Sequence, residues 1–208
     1  MTAPLVLLHG THGRRDRWFR PESPFADHAR ALGFRLLHPS EPFLWSGRIG
    51  GLFGLTPGDP ADPRDDRGRL EWANEGRHLT YYCAALRPGE EVSIVAHSHA
   101  GNLAVLAIAY GGLRVRHLVT VSTPIRADMA PWYEIARGAI SGHWFHVYGD
   151  FWKDWWQKVG ELGDLHLGWH REMPYAHLNL YARGHGHSSA LRDGTTFAEL
   201  GLWDALAT

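Results

Sequence analysis

Val92-Ser93-Ile94-Val95-Ala96-His97-Ser98-His99-Ala100-Gly101-Asn102 is the stretch on which the reading of this chain turns. Its first half is a short apolar run rich in β-branched residues, the pattern of a buried strand. Ser98, flanked by two histidines, follows, and then Leu103-Ala104-Val105-Leu106-Ala107-Ile108-Ala109-Tyr110 reads as a helix with no polar face, stopped by Gly111-Gly112. A serine at a sharp strand-to-helix turn holds its hydroxyl above the sheet, and the amide of the next residue, His99, points towards an anion formed beside it. Small residues are needed two before and two after the serine, because strand and helix backbones approach closely there. The familiar spelling is Gly-x-Ser-x-Gly; here alanine fills both places (Ala96 and Ala100), with Gly101 one position later.

On these residues the sequence resembles the α/β-hydrolase superfamily, particularly its lipase-like and esterase-like members, whose elbows often read His-Ser-x-Gly-Gly. The resemblance implies a three-layer α/β fold: a mostly parallel sheet with helices on both faces, trimmed because there is no room for the two extra N-terminal strands of larger members. The layout agrees. Pro4-Leu5-Val6-Leu7-Leu8 is a continuous apolar run, as in a strand covered on both faces. Residues 24–32 have helical spacing, Gly33 ends them, and residues 34–38 look like the next strand. Residues 70–86 read as a helix, 115–121 as a strand leading into Ser122-Thr123-Pro124, 143–148 and 178–182 as two further strands, and 196–206 as a closing helix. Helices alternating with strands give a parallel sheet with right-handed crossovers.

The site residues come from the same resemblance. After the first strand, His9-Gly10-Thr11-His12-Gly13 corresponds to the loop whose backbone supplies a second oxyanion donor, which the resemblance places at the amide of Thr11, with the neighbouring His12 as the alternative, beside that of His99. The acid is expected after the 143–148 strand, where Asp150 and Asp154 both lie. Asp154 is preferred because Asp154-Trp155-Trp156-Gln157 resembles the turn into a helix seen in related hydrolases. Gly186-His187-Ser188 resembles the segment that carries the catalytic histidine, with His185 as the alternative to His187. The chain order Ser98, Asp154, His187 is the one this fold uses.

Composition sets the remaining expectations. A chain of 208 residues reads as a single domain, 1–208, long enough for a proper core. Residues 39–69 lose periodicity among prolines, glycines and an acidic cluster and read as a flap over the site; residues 126–141 read as a small cap. A formal net charge of −1 gives no footprint for nucleic acid, and the single cysteine, Cys83, cannot form an internal disulfide. The N-terminal apolar run is too short for a signal peptide or a membrane span, so a cytoplasmic protein without stable membrane insertion is expected.

The leading functional reading is a serine esterase acting on a small-molecule or lipid ester, with no cofactor. Two others compete. The 15 histidines, with Asp164, His166, His170, His177, His185 and His187 in one region, raise a structural metal, although no His-Glu-x-x-His run is present. The two alanines at the elbow leave room for a non-catalytic binding protein on a hydrolase scaffold.

Overall fold

The structure is a computed structural model, and it describes residues 4–10, 16–38, 40–44, 78–126, 129–150, 152–154 and 172–208. The expected flap at 39–69 lies almost wholly outside these residues, as do the first part of the 70–86 helix and residues 155–171.

Among the described residues, β1 (Pro4–Leu8), β2 (Arg35–Leu36), β3 (Val92–His97), β4 (Val115–Val121), β5 (Trp144–Tyr148) and β6 (Leu178–Tyr181) form one six-stranded sheet. Its order is β2-β1-β3-β4-β5-β6, and every pairing is parallel. Parallel neighbours need crossovers: α1 (Pro24–Ala31) links β1 to β2, α2 (Ala100–Ala109) links β3 to β4, and α3 (Ala130–Ala139) links β4 to β5. The closing helix expected over 196–206 is two short helices, α4 (Thr195–Glu199) and α5 (Leu202–Ala207), separated where Gly201 turns left-handed at φ 67°.

The continuous apolar strands are explained by a core on each face. Side chains alternate along a strand, so Val6, Leu8, Ile94, Ala96 and Leu118 pack with α2 and α3, while Leu5, Leu7, Val95, Val119, Phe145 and Val147 pack with α1, α4 and α5. Helix α2 is apolar all round because it is buried all round: every residue from Ala100 to Ile108 is buried. Helix α3, in the region read as a cap, turns Trp132, Tyr133 and Ala136 into the same core as α2. No described helix is long and apolar enough to cross a membrane.

Candidate active site

Strand β3 ends at His97, and Ser98 takes the left-handed conformation at φ 54° before α2 begins at Ala100. A serine there is strained, typically by ~1–3 kcal/mol, and strain of this kind collects where the chain must aim a side chain. The turn is pinned from both sides: the Ser98 amide donates to Val121 O at 2.8 Å, and Thr123 Oγ1 donates to Ser98 O at 2.8 Å. The close approach that usually asks for glycine at the elbow falls one residue later. A Cβ on Gly101 would overlap Thr123 Oγ1 and stand 2.9 Å from Thr120 Cγ2, whereas Ala96 and Ala100 fit with no exposure. The glycine requirement has therefore moved to position 101, which is why two alanines are tolerated.

The loop after β1 lies directly on the elbow. A Cβ on Gly10 would meet His97 Nδ1 at 2.7 Å and Ser98 Cβ at 2.9 Å, so glycine is what lets the loop come this close to those side chains. The next residue, Thr11, lies outside the described residues. His99, whose amide is the other expected oxyanion donor, immediately precedes α2, where backbone N–H groups point along the helix axis.

The expected acid and base meet. His187 Nδ1 and Asp154 Oδ1 are 2.6 Å apart, across 33 residues of chain. An ionised carboxylate only accepts, so Nδ1 carries the proton and the lone pair is left on Nε2. Asp154 is buried at 2 % exposure, and the His187 side chain is mostly buried at 17 % exposure. The His187 ring sits against that of His97, the residue before Ser98, with centroids 4.6 Å apart.

The alternatives have other partners. Asp150 Oδ1 accepts from Tyr181 Oη at 2.5 Å and from the Gly184 amide at 3.2 Å, and these bonds hold its carboxyl below the usual range. Its own amide donates to His185 O at 2.7 Å. Asp150 thus ties the acid-bearing loop to the histidine-bearing loop. His185 pairs with Ser189 Oγ and Thr196 Oγ1 rather than with a carboxylate.

Several polar residues around the elbow were not singled out from the sequence. Tyr133 Oη donates to Asn102 Oδ1 at 2.7 Å, and Asn102 Nδ2 donates to Pro124 O at 3.2 Å and to His99 Nδ1 at 3.3 Å. The Arg126 amide donates to Tyr133 Oη at 3.1 Å. Burial first, then the charges of Arg126 and His187, push the His99 imidazole down to about 3, so it is neutral at working pH. The one signal in the sequence was Asn102 itself, a polar residue opening an otherwise apolar helix. Asp16, after β1, is near enough to His187 for that imidazole to lower its carboxyl against the stronger upward push of burial.

Among the described residues no group of three or more His, Cys, Asp or Glu side chains could hold a metal ion. Asp164, His166 and His170, part of the histidine-rich region read as a metal alternative, lie outside the described residues.

A scan against protein-family models and a search of curated proteins give no match. Solved structures do. A predicted CIB-like hydrolase from Thermoplasma acidophilum superposes with a TM-score of 0.58 at 12% identity, over 99% of this chain and 87% of that one. An α/β-hydrolase enzyme from the metagenome of sediments of the Mar Chica lagoon in Morocco gives 0.55 at 16% identity, over 98% and 90%. A structure from work on carboxylesterases of the thaumarchaeon Nitrososphaera gargenis gives 0.54 at 12% identity, over 99% and 91%. With the parallel sheet order, these likenesses show that the chain has the α/β-hydrolase fold.

Proposed function

We propose that this protein is a serine hydrolase of carboxylic esters, working through an acyl-enzyme on Ser98 with His187 as base and Asp154 as its partner. The observation that carries the reading is the 2.6 Å contact between Asp154 and His187, which fixes the imidazole with its lone pair on Nε2. Only in that tautomer can the ring take a proton from a serine.

An isolated hydroxyl is a poor nucleophile at neutral pH, so Ser98 Oγ loses its proton to His187 Nε2 as it attacks the ester carbonyl. The carbonyl oxygen becomes an anion facing the amides of His99 and Thr11; one such donor is typically worth ~3–4 kcal/mol of barrier. The imidazolium, offset by Asp154, then gives its proton to the departing alkoxide, and the alcohol leaves. Water repeats the cycle on the acyl-enzyme: His187 takes its proton, hydroxide adds to the acyl carbon, and the acid and free Ser98 are released. The substrate is a small-molecule or lipid ester.

Short p-nitrophenyl esters test the assignment. Ser98→Ala should lower turnover by about 10³-fold or more while the circular dichroism spectrum is unchanged. Equal turnover by the variant would remove Ser98 from the chemistry.

A further inference from the structure

His97 is a buried histidine that the reaction above does not use. Its Nε2 lies 2.9 Å from the backbone carbonyl oxygen of His187, 90 residues away. A carbonyl oxygen only accepts, so His97 Nε2 carries a hydrogen and donates it. The ring is neutral: burial, helped by the neighbouring His187, pushes it down to about 3, and the bond to the carbonyl offsets only part of this. A neutral imidazole has one N–H, which leaves Nδ1 bare. That atom is buried without a hydrogen-bond partner, on the side where the ring faces Gly10. Leaving a nitrogen unsatisfied costs stability. A phenyl ring would carry no such cost, so what the histidine adds at this position is the Nε2–H.

We infer that His97 is a positioning residue, whose Nε2–H clamps the main chain of His187 so that the base stays registered on Asp154 beside Ser98. The inference rests on the hydrolase reading. His187 is then held at two points, by its side chain to Asp154 and by its carbonyl to His97. Asp154 orients the ring, and the bonds between Asp150 and the main chain of Gly184 and His185 hold the preceding part of the loop; the His97 bond fixes the main chain at His187 itself, where small displacements of a reacting group are expensive in rate. His97 ends the strand that leads into Ser98, so the bond ties the main chain of the base to the element that presents the nucleophile. Its ring also packs nearly perpendicular to that of Trp18, with centroids 6.2 Å apart. Neutrality matters as well, because the ring lies 4.6 Å from an imidazole that becomes a cation in each cycle. A second positive charge there would oppose proton transfer.

Three substitutions separate a clamp from simple packing. In His97→Gln the amide nitrogen is as many bonds from Cβ as the native Nε2; in His97→Asn it is one bond short; His97→Phe keeps a ring without a donor. His97→Asn and His97→Phe should lower kcat on p-nitrophenyl esters about 10–100-fold with KM within about threefold, and His97→Gln should recover to within about fivefold of the parent. Histidine side-chain NMR reads the clamp without turnover. The parent should show one non-titrating Nε2–H tautomer at His97 between pH 5 and 8, and a downfield His187 Nδ1–H that persists in His97→Gln and broadens in His97→Phe. A folded His97→Phe with parental kcat, or a His97→Gln as impaired as His97→Asn, overturns the inference. Were the parent itself inactive on esters, the hydrolase reading would fall. The clamp would then be judged by NMR alone, and a His187 resonance unchanged in His97→Phe would refute it.

Discussion

At the C-terminal rim of the sheet, the His187 imidazole donates to a buried carboxylate, and His97 donates to a carbonyl. At the N-terminal rim, three other histidines gather: His117 and His143 stack with centroids 6.1 Å apart, and His177 meets His143 edge-on at 5.9 Å. These rings serve the backbone. His117 Nδ1 accepts from the His143 amide at 3.1 Å and His177 Nδ1 from the Trp144 amide at 2.8 Å, satisfying N–H groups at the entry to β5. Clustering alone therefore says little about function. The partner decides: a carboxylate prepares an imidazole to take a proton, whereas an amide uses up the lone pair that would take it.

The largest effect separating the rims should come from the two aspartates near the base. Asp154→Asn should reduce kcat by about 10³–10⁴-fold, because an amide favours the wrong tautomer of its histidine. Asp150→Asn should cost less than about tenfold in kcat, since it loosens the tie to Tyr181 and Gly184 without touching His187. Steady-state kinetics on one ester check both, and equal losses would erase the distinction between acid and brace.

At the opposite rim, His177→Phe should leave kcat unchanged and lower stability by about 1–3 kcal/mol, the cost of orphaning the Trp144 amide. Urea unfolding at pH 7 measures it; a fall in kcat at unchanged fold would mean that the far rim takes part in turnover.

At the elbow, Gly101→Ala forces a methyl onto Thr123 and Thr120, for an expected loss of about 1–3 kcal/mol. A parental melting temperature would show that the elbow has slack where the structure has none.

The smallest effect is on pH dependence. His97 and His99 are pushed down to about 3 and His117 to about 4, with burial the main cause in each, and His177 is lowered too. The unfolded chain therefore binds more protons than the folded one below about pH 6.5, and stability must fall as pH drops from there towards 4. His97→Gln should flatten that slope at one rim and His117→Gln at the other, as read from urea midpoints across the range. A midpoint independent of pH would contradict the buried, neutral state of these rings.

Much of this arrangement was legible in the sequence, for reasons that differ by element. Strands β1 and β3 announce themselves because burial on both faces favours apolar runs, whereas β4 was legible despite Arg116, His117 and Thr120 because its remaining residues are apolar and mostly β-branched. The elbow was legible despite its alanines, although which residue needs to be glycine was not: that depends on Thr123, 22 residues away, meeting Gly101. Strand β2 was read too long; only Arg35–Leu36 pair with β1. The link from Tyr133 through Asn102 to His99, the brace at Asp150 and the clamp at His97 were illegible. Each joins residues through a contact that no local periodicity encodes. For His177, composition could not tell an imidazole that accepts from an amide from one with a lone pair to give.

Labelling with a fluorophosphonate, followed by peptide mapping, shows whether Ser98 is the nucleophile. One adduct is expected, on Ser98, formed by the folded protein, lost on denaturation and slowed about 10³-fold or more in His187→Ala. An adduct on another serine of the folded protein, or labelling of Ser98 at the same rate without the His187 imidazole, would contradict that assignment.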